Sequence, residues 1–151
     1  MISLIAVVGS RGEIGPGDGL PRFSDPEEQT MLSNRASKVT EGGVIVVGSN
    51  TAKMMSSLGI RLDLIGGLHQ HAVWSRRHGI PPATFLYNLT ATGKSVFICG
   101  GKTTFKVFAP FCENFFIWRA DLCSDPDNFL DPILPHWQDR PETRPTGMRL
   151  Q

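Results

Sequence analysis

Chemistry is suggested first by Gly100-Gly101-Lys102-Thr103-Thr104, where two glycines, a cation and two hydroxyls follow the apolar run Val96-Phe97-Ile98-Cys99. Without Cβ atoms the glycine pair lets a ligand approach the backbone, and the next residues offer unpaired N–H groups of a helix start. Such a turn suits an anionic phosphate. A glycine pair after a strand also makes a plain tight turn, so these residues alone leave both readings open. Gly48-Ser49-Asn50-Thr51 repeats the theme after the apolar run Val44-Ile45-Val46-Val47, and Ser75-Arg76-Arg77 closes a third run, His71-Ala72-Val73-Trp74. Guanidinium groups pair bidentately with phosphate, although a basic strand end is also an ordinary solvated surface.

Two carboxylates, Glu27 and Glu28, follow Ser24-Asp25-Pro26. This is a helix-start signature, and Asp25 with Glu28 fits a capping box, so both acids have a structural role available. Helical phase separates them. Met31, Leu32 and Ala36 follow Glu28 at apolar-face intervals, whereas Glu27 looks toward Thr30 and Asn34. Counting from Pro21 favours Glu27 instead, and the register stays open. His69, His71, His78 and His136 show no metal-ligand spacing and are read as surface or turn residues.

The elements that must position these groups alternate in type. Ile2 to Val8 is a nearly continuous apolar run, the mark of a strand buried on both faces, and it enters a glycine-rich loop through Gly19. A helix from Pro26 to about Ser37, a strand at Val44 to Val47, a helix after Ser49, and strands at His71 to Trp74 and Val96 to Cys99 follow. A helix from Thr103 and a strand at Asn114 to Asp121 complete the pattern. Pro81-Pro82 reads as a loop, with a short strand or helical turn at Thr84-Phe85-Leu86-Tyr87. The chain of 151 residues is long enough for one domain with a single core.

Hydrophobic content of 40%, charged content of 19% and a net charge of +1 fit a soluble globular protein and supply no field for nucleic acid or an anionic membrane. Cys99, Cys112 and Cys123 are odd in number and lack CxxC spacing, so a reduced, cytoplasmic protein without structural zinc is expected.

The opening Met1 to Val8 with Ile14-Gly15 and Gly19-Leu20-Pro21, the stretch Val44 to Thr51, and Phe97 to Phe108 together resemble dihydrofolate reductases. The resemblance implies an α/β fold in one domain over residues 1–151: a mixed, mostly parallel sheet flanked by helices. It also implies NADPH as cofactor, dihydrofolate or a related pterin as substrate, and the fold targeted by trimethoprim or methotrexate. By this resemblance Glu28, or Glu27 in the other register, holds the pterin. Ile5, Leu32, Cys99 and Phe105 wall its pocket, with Arg22 beside it and Arg61 placed for the substrate's glutamate tail. Val7, Ile14, Gly15, Leu20, Ser49, Asn50, Thr51, Ser75, Arg76, Arg77, Gly100, Gly101, Lys102, Thr103 and Thr104 are implied as cofactor contacts.

The sequence departs from that pattern at several positions. Ser49 replaces a basic residue, Arg22 a tryptophan, and Trp118 the threonine that usually bonds the catalytic carboxylate. After Trp137 only fourteen residues remain, so a shortened C-terminal strand region is expected, with one short strand at residues 147–150. A monomer with the tail laid over the sheet edge is expected, the alternative being a symmetric dimer through an open edge. Two other functions stay open: a reductase of the same fold acting on another heterocycle, as in the pyrimidine reductases of riboflavin synthesis, and a non-catalytic binding protein.

Overall fold

Apolar runs of five to seven residues become strands because both their faces are covered, and the computed structural model shows five of them. It describes residues 1–14, 22–57, 70–122 and 129–130. In chain order the elements are β1 (Ile2–Val8), α1 (Pro26–Val39), β2 (Val44–Gly48), α2 (Ser49–Ser57) and β3 (Gln70–Trp74). They continue with α3 (Pro82–Thr90), β4 (Val96–Gly100), α4 (Lys102–Phe108) and β5 (Asn114–Arg119). The strands form one sheet in the order β3-β2-β4-β1-β5. All its pairings are parallel, with Ile2 opposite Val96, Ser3 opposite Asn114 and Gly48 opposite Trp74. The antiparallel part of the expected mixed sheet and the strand at residues 147–150 fall outside the described residues.

Side chains alternate across the sheet, and the alternation sorts the core into two layers. Leu4, Ala6, Val8, Val96 and Ile98 face one way and pack with Trp74, Leu86, Phe105 and Phe108. Ile5, Phe97, Phe116 and Trp118 face the other and pack with Leu32 of α1. The same chain therefore serves two layers of helix, as in other α/β domains. Among the described residues no helix is long and apolar enough to cross a membrane.

Helix α1 starts where its sequence directs: Asp25 Oδ1 accepts the Glu27 N–H at 2.9 Å, and Pro26 takes the first helical position. At Pro81-Pro82 the structure differs from the loop reading. Pro82 opens the nine-residue helix α3, because a helix's first position needs no N–H. Phe85, Leu86 and Leu89 supply its inner face, and Tyr87 points outward.

Phe108 is the largest fully buried side chain, with Trp74 edge-on at 5.3 Å and Phe85 tilted at 5.9 Å. Phe108→Ala should cost roughly 3–5 kcal/mol by leaving a cavity the surrounding rings cannot fill. Urea unfolding checks this, and a loss below ~1 kcal/mol would mean that the site collapses freely.

Candidate functional site

The carboxyl ends of β2, β3 and β4 meet where the chain order in the sheet doubles back, the place where open α/β sheets leave a crevice. A cavity of about 530 Å³ lies there. Each of its walls is a strand end that turns into a helical element. From β2 come Ser49, Asn50 and Thr51, where α2 begins with no acidic residue in its first turn. From β3 come Ser75, Arg76 and Arg77, and from β4 come Gly101, Lys102, Thr103 and Thr104.

The local folding of each wall follows from its residues. Ser75 Oγ accepts the Arg77 N–H at 3.2 Å and so starts a single helical turn, Arg76–His78, which Gly79 ends with φ of 69°. The turn presents two guanidinium groups and His78 side by side. Gly100 takes φ of 143°, a conformation side chains oppose, and Gly101 follows as the residue before α4. At Gly48 a Cβ would collide with the Thr104 hydroxyl, so the backbone of β2 stays bare where α4 crosses it.

The cavity's charge is one-sided. Lys53, Arg76, Arg77 and Lys102 line it together with His78, and among the described residues no carboxylate does. Such a cradle, with hydroxyls and bare glycine backbone between the cations, fits a polyphosphate ligand such as a dinucleotide. Of the residues expected around a cofactor, Gly100 is buried just behind this wall. Val7 and Ile14 line a different cavity, and Gly15 and Leu20 lie outside the described residues.

That second cavity, about 200 Å³, opens on the other face of the sheet against α1. Ile5, Leu32, Cys99 and Phe105 wall it, joined by Val7, Ile14, Phe23, Ser33 and Trp118. Burial pushes the Cys99 thiol up to about 12 and the Cys112 thiol also to about 12, with Glu113 adding to the latter. Both therefore stay protonated and unreactive near neutrality. Iodoacetamide at neutral pH should leave Cys99 and Cys112 unmodified in the native protein and label both in denaturant, read by peptide mass spectrometry. Native labelling of Cys99 would show that this cavity opens to solvent.

Ile14 is carried to the cavity by a pinned segment. Glu13 is buried, its Oε2 accepts the Arg11 N–H at 3.1 Å, and Gly9 leaves the room its carboxylate fills. Leu130 N–H donates to the Gly12 carbonyl at 2.9 Å and closes the other side.

The two glutamates differ as their phase requires. Glu27 is exposed, while Glu28 is half-buried and its Oε1 accepts the Asp121 N–H at 2.8 Å, tying α1 to the end of β5. Neither lines the second cavity. Trp118 packs against Phe116 at 6.2 Å and under the Arg35 guanidinium at 5.5 Å. Arg22 is half-buried and also lines neither cavity, and Arg61 lies outside the described residues. Among the described residues no cluster could hold a metal.

Sequence reading missed Lys53, Trp74 and His78 in the first cavity and Phe23, Ser33 and Trp118 as walls of the second. Lys53 was findable, since it follows Ser49 by one helical turn on the same face. His78 was read as a surface or turn residue. It is exposed and ends the turn that Ser75 caps, but it also borders the phosphate-shaped cavity.

No protein-family model matches the chain, and no curated protein matches it by sequence. By structure it is similar to dihydrofolate reductase from Enterococcus faecalis complexed with NADP(H) and RAB-propyl. The TM-score is 0.59 at 19% identity, covering 85% of this chain and 76% of that one. The likeness establishes a dihydrofolate-reductase-like α/β fold.

Proposed function

We propose that this fold serves here as an NADPH-dependent reductase of the dihydrofolate type. The observation that carries the reading is the cationic cavity at the ends of β2, β3 and β4, lined by four basic side chains, His78 and no carboxylate. Ser49, Asn50, Thr51 and Gly101 to Thr104 hold the bridging phosphates, and Ser75, Arg76 and Arg77 take the phosphate on the ribose, in place of a cation at Ser49. When bound, NADPH supplies a hydride. Val7 and Ile14, with Gly15 and Leu20, bring the nicotinamide against the second cavity. Ile5, Leu32, Cys99 and Phe105 hold a flat heterocycle there and keep water out, so that the two rings meet at reacting distance. Glu28 holds the polar edge of the pterin and favours its protonation.

A second reading of the substrate has its own observation. Among the described residues no carboxylate lines the second cavity, Trp118 forms part of its wall, and Glu28 is already engaged by the Asp121 N–H. That favours a heterocycle lacking a cationic edge, of the kind reduced by pyrimidine reductases of riboflavin synthesis.

Loss of reduced-nicotinamide absorbance, followed with dihydrofolate and separately with a ribosylaminopyrimidine, decides the matter. Oxidation of NADPH with dihydrofolate alone is expected. Oxidation with the pyrimidine alone transfers the proposal to the second substrate. Activity with neither, together with unchanged tryptophan fluorescence on adding NADPH, would sink the reductase reading.

A further inference from the structure

Glu13 is a carboxylate inside the fold, 3% exposed, on the connection that leaves β1. Burying such a group is costly unless hydrogen bonds meet it, so a fold that keeps one is using its oxygens. Oε2 accepts the Arg11 N–H at 3.1 Å, a bond that no apolar residue of similar volume could make. The Arg11 guanidinium is a lesser partner. Its Nε lies 3.6 Å from the same oxygen, but the side chain is 65% exposed, and an ion pair on so open an arm contributes little.

The bond closes a small ring of backbone. Gly9 N–H donates to the Glu13 carbonyl at 2.8 Å and Gly12 N–H to the Gly9 carbonyl at 3.0 Å, so the chain turns back on itself directly after β1. Gly12, with φ of 82°, supplies the left-handed residue of this turn. Gly9 serves another purpose. Its φ lies outside the left-handed region, and what bars a side chain is the Glu13 carboxylate, which occupies the place a Cβ would take. Gly9 and Glu13 are thus an interlocked pair, the missing side chain of one making room for the other. On the far side Glu13 forms an antiparallel bridge with Phe129. The next residue out of the ring is Ile14, 7% exposed and part of the wall of the second cavity. The ring and the bridge together set where Ile14 meets that cavity.

Resting on the reductase reading above, we infer that Glu13 is a positioning residue for the reduction: seated over Gly9, it fixes the backbone that sets Ile14 in the wall where nicotinamide and heterocycle meet. Glu13 lines neither cavity and acts through Ile14 alone. Its effect therefore falls on the alignment of the two rings and spares the grip on the phosphates.

The test is steady-state kinetics with the heterocycle that the wild-type chain reduces, beside fluorescence titration with NADPH and thermal melting. Glu13→Ala should lower kcat by about 10²-fold, the loss that a misplacement of ~1 Å produces, and leave NADPH affinity nearly unchanged. Glu13→Gln keeps an acceptor for the Arg11 N–H and should retain most of the turnover. Gly9→Ala drives a methyl group into the carboxylate's place and should lose turnover as Glu13→Ala does. In the double variant the methyl group enters vacated room, so its loss should not exceed that of Glu13→Ala alone. If Glu13→Ala does not fold, Glu13→Leu, which keeps the volume and loses the acceptor, replaces it. A folded Glu13→Ala or Glu13→Leu chain with wild-type kcat and KM overturns the inference, and wild-type activity leaves the reductase reading standing. Equal loss in Glu13→Gln, or additive losses in the double variant, overturns the interlocked pair. A wild-type chain that oxidises NADPH with neither heterocycle ends both readings.

Discussion

Gly101→Val yields a folded chain whose affinity for NADPH is about ten- to a hundredfold weaker. Gly101 is buried between β4 and α4, and its φ of −86° is not the positive φ that would exclude a side chain. The backbone therefore has no reason to rearrange, and the added methyl groups enter the cavity wall. Forcing extra carbons into a packed site costs roughly 1–3 kcal/mol, so affinity should fall about ten- to a hundredfold. Gly101→Ala should fall between. Fluorescence titration with NADPH gives the affinities, and circular dichroism shows that the fold persists. Undiminished affinity in a folded Gly101→Val chain would remove the phosphate cavity from the proposed mechanism.

Glu28→Gln lowers dihydrofolate turnover by about 10²- to 10⁴-fold, the range for a group that governs proton transfer, and leaves NADPH affinity nearly unchanged. Glutamine keeps a carbonyl oxygen for the Asp121 N–H, so the tie between α1 and β5 survives and only the charge is lost. Glu27→Gln should be silent because Glu27 is exposed on the far side of the turn. Steady-state kinetics with both variants separates the readings. Loss in Glu27→Gln alone would mean that the assignment is one residue out. Wild-type turnover of dihydrofolate in both would show that neither carboxylate is needed for its reduction.

The fold was legible where burial on two faces leaves an unbroken apolar run. Val44 to Val47 and Val96 to Cys99 could hardly be anything but internal strands, and the glycine pair marked the turn into α4. Helix α3 was not legible, since two prolines read as a break when one in fact occupies a helix start. Sequence could name Ser49, Arg76 and Lys102 as phosphate-seeking groups because strand ends of one parallel sheet share an edge. It could not show that Glu28 would be engaged by Asp121, because that contact spans 93 positions and depends on how α1 docks. Nor could it show that Trp118 would wall the second cavity, since that depends on packing and not on spacing.

The position of β1 has a consequence for how the chain comes into being. Its two partners are β4 and β5, with Ile2 set against Val96 and Ser3 against Asn114. During synthesis β1 is made before either partner, and its apolar side chains wait while β2, β3 and the helices between them are assembled. Loop closure over such separations is slow, and exposed strand edges meanwhile invite association between chains. Shielding of nascent β1, by the ribosome surface or a chaperone, should therefore matter to the yield of native protein. A circular permutant that begins in the turn after α3 would place β4 and β5 early. With residues 1 and 151 joined, it would bring β1 out after both of its partners and remove the wait.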